Sequence, residues 1–494
     1  MKSAESRQLT FVFADSPSGS KDDPSVDVST GRSYLLHQAK VKEANDSVAR
    51  TADTSRLLEQ IASLPNLARA LLNVARNKGA PGIDGQSVEE VMGVAGELLP
   101  KLSRALHSGS YQPGDIRRVW IPKPGGGQRG LGIPNVIDRW VQQAVLQILD
   151  PIFERTFHDS SHGFRRNRGA RTAIAEAKKY FAEGYRITVD VDLSKFFDRV
   201  NHQRLLNRLS QQVKDGRILK LVHRMLKAKV VMPDGTRVAT EEGAPQGGPL
   251  SPLLSNVVLD ELDWELDRRG LRFVRYADDF SVFVRSERAG RRVMQSVRQF
   301  IERRLRLMVN EEKSSVSQPY DLSFLGFRLG MSPDGHVTVD ISERTKQRMD
   351  ARIRELTPRT WGQSLAACLG GINRYLTGWI GYFRLCTEQG LYHFRKFDAH
   401  IRRRLRAIII RQKKRPRHLF RHLVSRGVPH RMAAGTAFCR RGIWNRSNRP
   451  GIQRAYPNVW FAERLVSLRY QWYVFNPPAE RVSKQLTLFP EIST

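Results

Sequence analysis

The sequence predicts an α+β fold, in which a mixed sheet with packed helices is followed by a mainly helical region. Between residues 111 and 330, short apolar runs with the two-residue period of β-strands alternate with helical patterns. From Leu365 to Phe383, apolar side chains recur at helical spacing on one face. The 494 residues exceed the size of one compact core, so we expect three or four structural units.

The N-terminal part divides into a tail and a helical stretch. Residues 1–50 are rich in Ser, Asp and Lys with little apolar periodicity, which predicts a mobile tail. One helix is predicted from Ser55 to Lys78, because leucines and other apolar residues recur there at three- and four-residue spacing before Gly79. A second long helix is predicted from Val136 to Phe153.

The chain is strongly basic, with 82 Lys and Arg against 49 Asp and Glu and a formal net charge of +33. The excess lies within the folded body, since Ile401 to His422 carries ten basic residues and no acidic one. A solvated surface normally mixes both signs. The charge pattern therefore predicts a nucleic-acid partner.

The three cysteines, Cys368, Cys386 and Cys439, form no CxxC pair. Their spacing favours a reducing compartment and argues against a cysteine-rich zinc site. No apolar run approaches the roughly 20 residues needed to span a bilayer, and the N-terminus lacks an export pattern. We therefore expect a cytoplasmic protein without a membrane partner.

Acidic residues stand where predicted strands end. Asp190 and Asp192 project from one face of a strand that begins near Tyr185. Asp278 and Asp279 separate two further apolar strands and so lie at a hairpin tip. Like charges at a tip are costly unless a cation compensates them. Since Mg²⁺ prefers carboxylate oxygens and keeps positions open for phosphates, the pattern predicts a divalent metal site.

The chemistry that fits these acids is two-metal phosphoryl transfer. Asp192 and Asp278 are expected to ligate two Mg²⁺ ions, with Asp279 completing or supporting the site. One ion lowers the pKa of a primer 3′-hydroxyl, and the other neutralises the leaving pyrophosphate. We therefore predict Asp192, Asp278 and Asp279 as the catalytic residues. Asp190 has no assigned role and is expected at the surface.

Seven motifs resemble, in order, those of group II intron reverse transcriptases, over roughly residues 55 to 475. The first, from Tyr111 to Pro134, is similar to the family's fingers motif, with Gly130 where the family usually has Pro. SHGFR follows, with His162 in place of Tyr. The remaining five are DLSKFFD from Asp192, GAPQGGPLSPLLSN from Gly243, YADD from Tyr276, NEEKSS from Asn310 and FLGF from Phe324.

This resemblance implies a right-hand polymerase, with fingers and palm at residues 111–335 and an α-helical thumb/maturase domain at 336–430. It implies an RNA-directed DNA polymerase that reverse transcribes intron RNA and binds that RNA as a maturase, promoting splicing and mobility. The implied partners are group II intron RNA, the template-primer and target DNA. The remaining predicted segments are N-terminal extension helices with the start of the fingers at 51–110, a small basic-aromatic DNA-binding region at 431–475 and a flexible tail at 476–494.

The resemblance also assigns nucleotide-binding residues. Lys123 and Arg129 are expected to contact the phosphates of the incoming nucleotide. Phe197 lies where related polymerases exclude the 2′-hydroxyl, although core packing is an alternative. Gln246 is expected to meet the nucleotide sugar or base, between residues that permit close backbone approach. Lys313 is expected to support the metal site.

The segment from Gly378 to Pro416 resembles the family's maturase-specific thumb region. Its helices are expected to bind structured RNA through the backbone and shape. A basic helix could also grip the template-primer duplex, and both uses could coexist on different faces. The cations expected to bind RNA are Arg402, Arg403, Arg404, Lys413 and Lys414.

The C-terminal part carries two further resemblances. Gly442 to Trp444, with the aromatic residues up to Tyr470, resembles the DNA-binding region of some members. We expect no endonuclease domain and therefore no second-strand cleavage. In the tail, Gln485, Leu486, Leu488 and Phe489 resemble the QLxLF peptide that docks on the bacterial replicative sliding clamp. The alternative is that these side chains pack back onto the thumb.

Two other functions stay open at this point. A domesticated reverse transcriptase in antiphage defence or DNA repair would keep the palm and lose the intron. A splicing-only RNA-binding protein would need no polymerase site. The intact Asp192, Asp278 and Asp279 argue against the second, because decayed polymerases commonly lose these acids.

Overall fold

The computed structural model describes residues 54–122, 126–318, 323–358, 362 and 364–477. The chain forms two compact units. The first comprises the described residues up to 150 together with 210–240 and 245–250, and the second comprises 151–209, 241–244 and the described residues from 251 onward. The predicted N-terminal tail, and the C-terminal tail from residue 478, lie outside the described residues. The other predicted domain boundaries stay predictions.

Helices and strands alternate over the first two thirds of the described chain, and helices follow. The helices are α1 Leu57–Ala62, α2 Leu64–Arg76, α3 Val88–Gly93, α4 Ala95–His107, α5 Val136–Glu154, α6 Ala170–Ala182, α7 His202–Gln212, α8 Gly216–Leu226, α9 Ser251–Arg268, α10 Glu287–Phe300, α11 Glu343–Leu356, α12 Leu365–Phe383, α13 Leu391–Gln412, α14 Pro416–Ser425, α15 His430–Ala437, α16 Ile443–Arg446, α17 Pro450–Ala455, α18 Asn458–Ala462 and α19 Leu468–Phe475. The strands are β1 Ile116–Pro122, β2 Gln128–Ile133, β3 Ile187–Val191, β4 Val230–Val231, β5 Arg237–Val238, β6 Arg272–Tyr276, β7 Asp279–Val284, β8 Ser315–Ser317, β9 Phe327–Met331 and β10 Val337–Ile341.

The first unit packs a helical core beside a mixed sheet in the order β2-β1-β4-β5. The β1–β2 pair is antiparallel, whereas β1 and β4 are parallel. The single helix predicted from Ser55 to Lys78 is wrong, because the chain breaks at Ser63, which has extended backbone angles. Pro65 contributes to the break, because it lacks an amide hydrogen and is favoured in the first turn of a helix, where the second helix begins.

The second unit contains the sheet that positions the acidic residues, in the order β6-β7-β3-β8. We call it the palm sheet. All of its pairings are antiparallel, and β9 and β10 form a separate hairpin. Between α9 and α10 the hairpin β6–β7 follows the predicted strands closely. The predicted helices from Val136 and from Leu365 are also confirmed, as α5 and α12.

The C-terminal region packs α11 to α19 around one core that includes Ile372, Trp379, Phe394 and Trp472. Residues 430–475 form five short helices, so the mainly helical character predicted for the C-terminal part extends to them. Prolines begin three of them, at 429, 450 and 457, and helices this short cannot display a clear apolar period. The α+β fold with a helical C-terminal region is confirmed. Among the described residues, no helix has both the length and the apolar character to span a membrane.

Candidate active site

The three predicted catalytic acids lie at the same end of the palm sheet. Val191 of β3 pairs with Phe280 of β7, so continuing this register places Asp192 opposite Asp279. Asp278 occupies the tight turn between Tyr276 and Asp279, which pair with each other. Strand ends that share one ladder bring their side chains within a few ångströms. Asp278 is partly buried and Asp279 is exposed.

The backbone and side chain of Asp192 contact the NEEKSS segment, residues 310–315. Its amide donates a hydrogen bond of 3.1 Å to Ser314 Oγ, and its carbonyl oxygen accepts one of 2.8 Å from the amide of Asn310. The Nζ atom of Lys313 lies 3.9 Å from Asp192 Oδ2. The Asp192 side chain is 31% exposed, and that of Lys313 62%. The predicted support of Asp192 by Lys313 therefore has a geometric basis.

Asp190 corrects one prediction, because it is partly buried on the central strand and is not exposed. It occupies the central strand β3, opposite Ser281 of β7 and Ser315 of β8. Its Oδ1 accepts a hydrogen bond of 2.9 Å from Ser281 Oγ. Burial raises its pKa to about 6, and the charge of Asp192 adds to the shift. A partly buried acid thus stands directly behind the predicted metal ligands.

The turn that carries Asp278 is held from below by Arg275, which is fully buried. The Arg275 guanidinium donates to Asp263 at 2.6 and 2.8 Å, and Asp263 is also fully buried. It further donates to Asn256 Oδ1 at 2.9 Å and to the carbonyl oxygen of Ala277 at 2.9 Å. Ala277 has a φ of 58°, a left-handed conformation that is uncommon outside glycine. Arg275 therefore stabilises the strained residue that precedes Asp278.

The SHGFR segment packs against the same turn. Arg275 exchanges backbone hydrogen bonds of 2.8 Å with Ser160 and His162. Asn256 Nδ2 donates to the carbonyl oxygen of Gly163 at 2.9 Å. A side chain at Gly163 would collide with the backbone of Ala277, which accounts for glycine at this position. Three motifs that are far apart in the chain thus meet beneath one turn.

His162, where the family usually has Tyr, joins a buried polar cluster. Its Nε2 lies 2.6 Å from Glu176 Oε2 and its Nδ1 lies 2.8 Å from Thr172 Oγ1. Glu176 also accepts hydrogen bonds from Ser160 at 2.6 Å and from Tyr180 at 2.5 Å. Burial opposes ionisation of Glu176, but these hydrogen bonds lower its pKa below the usual value. Both ring nitrogens of His162 therefore have hydrogen-bond partners within this cluster.

Phe197, the predicted sugar gate, is half-buried in the short 3₁₀ turn Phe196–Asp198. Its ring lies 5.0 Å from that of Phe196, edge to face, and Phe196 is 2% exposed. Gly243 has a φ of 95°, and a side chain there would press against the Phe197 carbonyl. Phe196 therefore packs the core, while Phe197 keeps an accessible edge.

The other predicted nucleotide contacts belong to the first unit. Arg129 is exposed on β2, and Lys123 lies outside the described residues. The carbonyl oxygen of Gln246 accepts a hydrogen bond of 2.8 Å from the amide of Gly132, which fixes the loop on β2. Arg118 donates to the carbonyl oxygen of Gly130 at 3.1 Å, and the end of its side chain lies where a side chain at Gly130 would begin.

The predicted RNA-binding arginines of α13 contact the protein itself. Burial lowers the pKa of Arg402. The guanidinium of Arg403 stacks 4.0 Å above the ring of Trp444, and Arg404 donates to the carbonyl oxygen of Thr357 at 2.7 Å. Lys413 is half-buried and Lys414 is exposed. The clamp residues Gln485, Leu486, Leu488 and Phe489 lie outside the described residues.

Sequence reasoning missed Arg275, Asp263 and Asn256. One signal could have found Arg275, since it is a charged residue whose neighbours on the same strand face are apolar. The predicted metal site is not a preformed cluster of ligands among the described residues. In the described part of the chain, no three His, Cys, Asp or Glu side chains lie close enough together to hold an ion by themselves.

Two family models match successive segments of the chain. Residues 121–329 match the family model of the reverse transcriptase, an RNA-dependent DNA polymerase. Residues 346–427 match the maturase-specific domain of group II introns.

Curated relatives agree with these matches. Protein YkfC of Escherichia coli is 34% identical over 58% of this chain and 85% of its own length. The group II intron-encoded protein LtrA of Lactococcus lactis is 29% identical over 58% of this chain and 59% of its own length. The putative COX1/OXI3 intron 1 protein of Saccharomyces cerevisiae is 32% identical over 45% of this chain, but only 29% of that protein is covered. The chain therefore belongs to the family of group II intron reverse transcriptases with a maturase domain, and its enzymatic class is RNA-directed DNA polymerase.

Proposed function

We propose that this protein reverse transcribes the RNA of a group II intron and binds that RNA as a maturase, promoting splicing and mobility. The observation that carries the proposal is that Asp192, Asp278 and Asp279 lie at the same end of the palm sheet, in a chain that also matches the maturase-specific domain. A protein that only assisted splicing would have no use for three acids at this point.

Two Mg²⁺ ions are the proposed cofactors, held by Asp192, Asp278 and Asp279. The donor set fits, because it offers only carboxylate oxygens, and Mg²⁺ commonly takes one or two carboxylates together with substrate phosphates. When bound, the ions activate the primer 3′-hydroxyl and neutralise the leaving pyrophosphate. Asp190 adds negative charge behind the site, which favours a cation at the acids.

The chain's own residues orient the reacting groups. Lys313, 3.9 Å from Asp192, balances part of the acidic charge before nucleotide binds. Arg275 and Asn256 fix the turn that presents Asp278. Lys123 and Arg129 are proposed to bind the triphosphate. Their role is positioning and electrostatic stabilisation, which together supply most of the catalysis in phosphoryl transfer.

Selection of deoxynucleotides is proposed to depend on Phe197 and Gln246. The accessible edge of Phe197 would occupy the space that a 2′-hydroxyl requires, and its position is set by packing on Phe196. Gln246 is proposed to contact the sugar or base, from a loop anchored by its own backbone on Gly132. Steric exclusion suits this task, because adding one hydroxyl to an accommodating pocket changes binding only modestly.

Binding of intron RNA is proposed for the basic surface of the thumb. Arg402, Arg403 and Arg404 have part of their binding capacity in use within the protein. Exposed Lys414 and the segment after it, which includes exposed Arg415 and Arg417, offer freer cations. Phosphate contacts of this kind govern affinity and its dependence on salt. The same surface could instead bind the template-primer. Measuring both RNA binding and primer extension of a Lys414→Ala variant distinguishes the two uses.

The proposed function is tested with the purified protein and an intron RNA transcribed from the DNA that surrounds its reading frame. We expect Mg²⁺-dependent extension of a DNA primer on an RNA template, and faster splicing of the intron at low Mg²⁺ when the protein is present. Surrounding DNA without a catalytic intron sequence, together with intact primer extension, would favour the domesticated reverse transcriptase in defence or repair. Splicing without primer extension would favour the splicing-only protein.

A second proposal concerns the C-terminal tail. Gln485, Leu486, Leu488 and Phe489 are proposed to dock on the replicative sliding clamp, since an extended peptide of this composition can place its apolar side chains in pockets at low ordering cost. The test measures clamp binding by the tail peptide and by a variant with Leu488→Ala and Phe489→Ala. We expect the variant to lose binding. A wild-type peptide without clamp affinity would refute the proposal.

A further inference from the structure

Helix α10 covers one face of the palm sheet at close range. Gly290 is its contact point, because a side chain there would collide with Val316 and touch Ile187 and Val189. Val297 and Ile301, at helical spacing from Gly290, are fully buried. The inner side of the helix is therefore fixed against the strands β3 and β8.

The acidic residues lie on the opposite face of the same sheet. Side chains alternate along a strand, so Ile187 and Val189 point toward α10, whereas Asp190 and Asp192 point away from it. A template-primer bound over the acids would therefore be separated from the outer side of α10 by the sheet and the helix itself. The outer side of α10 is free to serve another purpose.

That outer side carries an unusual excess of arginine. Between residues 285 and 306 the sequence has eight Arg and two Glu. Both glutamates are paired at the flanks of the helix, Glu287 with Arg291 at 3.4 Å and Glu302 with Arg298 at 2.9 Å. The exposed stripe opposite the buried side consists of Arg288, Arg292, Gln295, Gln299 and Arg303. Within the described part of the chain, its three arginines form no ion pair.

We propose that this stripe, the palm arginine face (Arg288, Arg292 and Arg303), binds the phosphate backbone of a folded RNA helix while the template-primer occupies the other side of the sheet. The inference rests on the proposed function, which supplies an RNA partner. It deepens that function by assigning structured RNA a surface outside both the polymerase site and the thumb.

The side chains of the palm arginine face favour a phosphate backbone over a lipid surface or a protein interface. This face is about 22 Å long, from 15 residues of helical rise, and its guanidinium groups suit paired contacts to phosphate oxygens. It contains no apolar or aromatic residue. Helices that insert into a lipid surface carry apolar side chains beside their cations, and a stable protein interface has an apolar or aromatic centre. A rigid row of phosphates requires only the cations.

The experiment asks whether the protein binds a second RNA while its polymerase site is filled. The full-length protein is first saturated with an RNA template annealed to a terminated DNA primer and the next nucleotide. A labelled RNA hairpin of about 20 base pairs is then titrated at several salt concentrations. The test variant replaces Arg288, Arg292 and Arg303 by Gln. The control variant replaces Arg171, Lys178 and Lys179 of α6, which are also exposed, by Gln.

We expect the filled wild-type complex to bind the hairpin, and the test variant to lose at least about tenfold in affinity, with a salt dependence lower by two to three phosphate contacts. The control should change affinity much less, and both variants should extend primers at the wild-type rate. The proposal is overturned if the filled complex binds no hairpin, if the control loses as much affinity, or if the test variant extends primers poorly. Equal losses for a DNA duplex or for anionic lipid vesicles would also overturn it. A protein that bound the hairpin without extending any primer would refute the proposed function and leave this surface intact.

Discussion

Arg275 donates a hydrogen bond of 2.9 Å to the carbonyl oxygen of Ala277, two residues further along the same chain. The guanidinium is fully buried, and its charge is compensated by Asp263, which is equally buried. Ala277 needs this support because it adopts a left-handed backbone conformation immediately before Asp278. An ion pair in the core thereby sets the geometry of a turn at the surface.

Replacing Arg275 with Met is expected to destabilise the protein by about 3–5 kcal/mol, because Asp263 would remain as a buried charge without its partner. Chemical denaturation followed by circular dichroism measures the effect. A double variant, Arg275→Met with Asp263→Leu, should recover most of the stability, since neither charge remains. It should still polymerise slowly, because the Ala277 carbonyl has lost its donor. Full activity in a stable double variant would contradict the positioning role.

Replacing Asp278 with Ala is expected to slow primer extension by at least about a hundredfold, because a proposed ligand of both metal ions is lost. RNA affinity and splicing should be nearly unchanged, since neither uses this carboxylate. The matched control is Asp198→Ala, which removes an exposed carboxylate from the same DLSKFFD motif. Wild-type extension by the Asp278 variant would show that the metal assignment is wrong.

Replacing Phe197 with Val is expected to admit ribonucleotides, because the shorter side chain no longer fills the space of the 2′-hydroxyl. Single-nucleotide incorporation of matched ribo- and deoxynucleotides measures the selectivity. Phe196→Val serves as a comparison: its ring is buried and packs against Phe197, so it should cost about 1–3 kcal/mol of stability and change selectivity less than Phe197→Val does. The gate role fails if the Phe197 variant discriminates sugars as well as the wild type does.

Because the carboxyl group of Asp260 is buried, we expect the free energy of unfolding to depend on pH. Burial raises its pKa to about 6, the charge of nearby Asp263 raises it further, and Arg208 and Arg275 partly oppose the shift. The folded state therefore favours the protonated acid, so this residue's contribution is fully present below pH 4 and is lost as pH rises toward 6. Asp260→Asn should raise the free energy of unfolding by about 1–3 kcal/mol at pH 8. The gain should vanish near pH 4; an equal gain at both values would exclude titration as the cause.

We expect two kinds of basic residue in the thumb, those that stabilise the fold and those that bind RNA. Arg404→Ala should lower stability by about 1–3 kcal/mol, because Thr357 loses its hydrogen-bond donor. Lys414→Ala should leave stability unchanged and reduce the salt dependence of RNA binding by about one phosphate contact. Thermal denaturation and RNA titration over a salt series measure the two effects. If Lys414→Ala leaves RNA binding unchanged but impairs primer extension, this surface holds the template-primer.

The positions of Asp192, Asp278 and Asp279 could be predicted because each depends on local signals. Alternating apolar residues marked the strands, and a two-residue acidic turn marked the hairpin tip. The hairpin fixes only the β6–β7 register, whereas the β3–β7 pairing that places Asp192 opposite Asp279 joins distant segments and was not predicted. The motifs also indicated the order of fingers, palm and thumb, and the matches to known families agree with it.

The support of these acids could not be predicted, because it depends on contacts between distant segments. Ser161 and Arg275 are separated by 114 positions along the chain. Asp190 was expected at the surface because no catalytic role was assigned to it, but it lies on the central strand β3, between β7 and β8. Ser63 ends a helix whose apolar period continues past it without change. Local periodicity carries no information about such tertiary pairing.

The central position of β3 has a consequence for synthesis on the ribosome. Its two hydrogen-bonding neighbours, β7 and β8, both follow it in the chain, and β8 ends at Ser317. At about 5–20 residues per second, β3 waits on the order of ten seconds after its own emergence before both edges can pair. An unpaired apolar strand invites aggregation during that interval. The nascent chain should therefore depend on chaperones or on early RNA contact until residue 317 has left the exit tunnel.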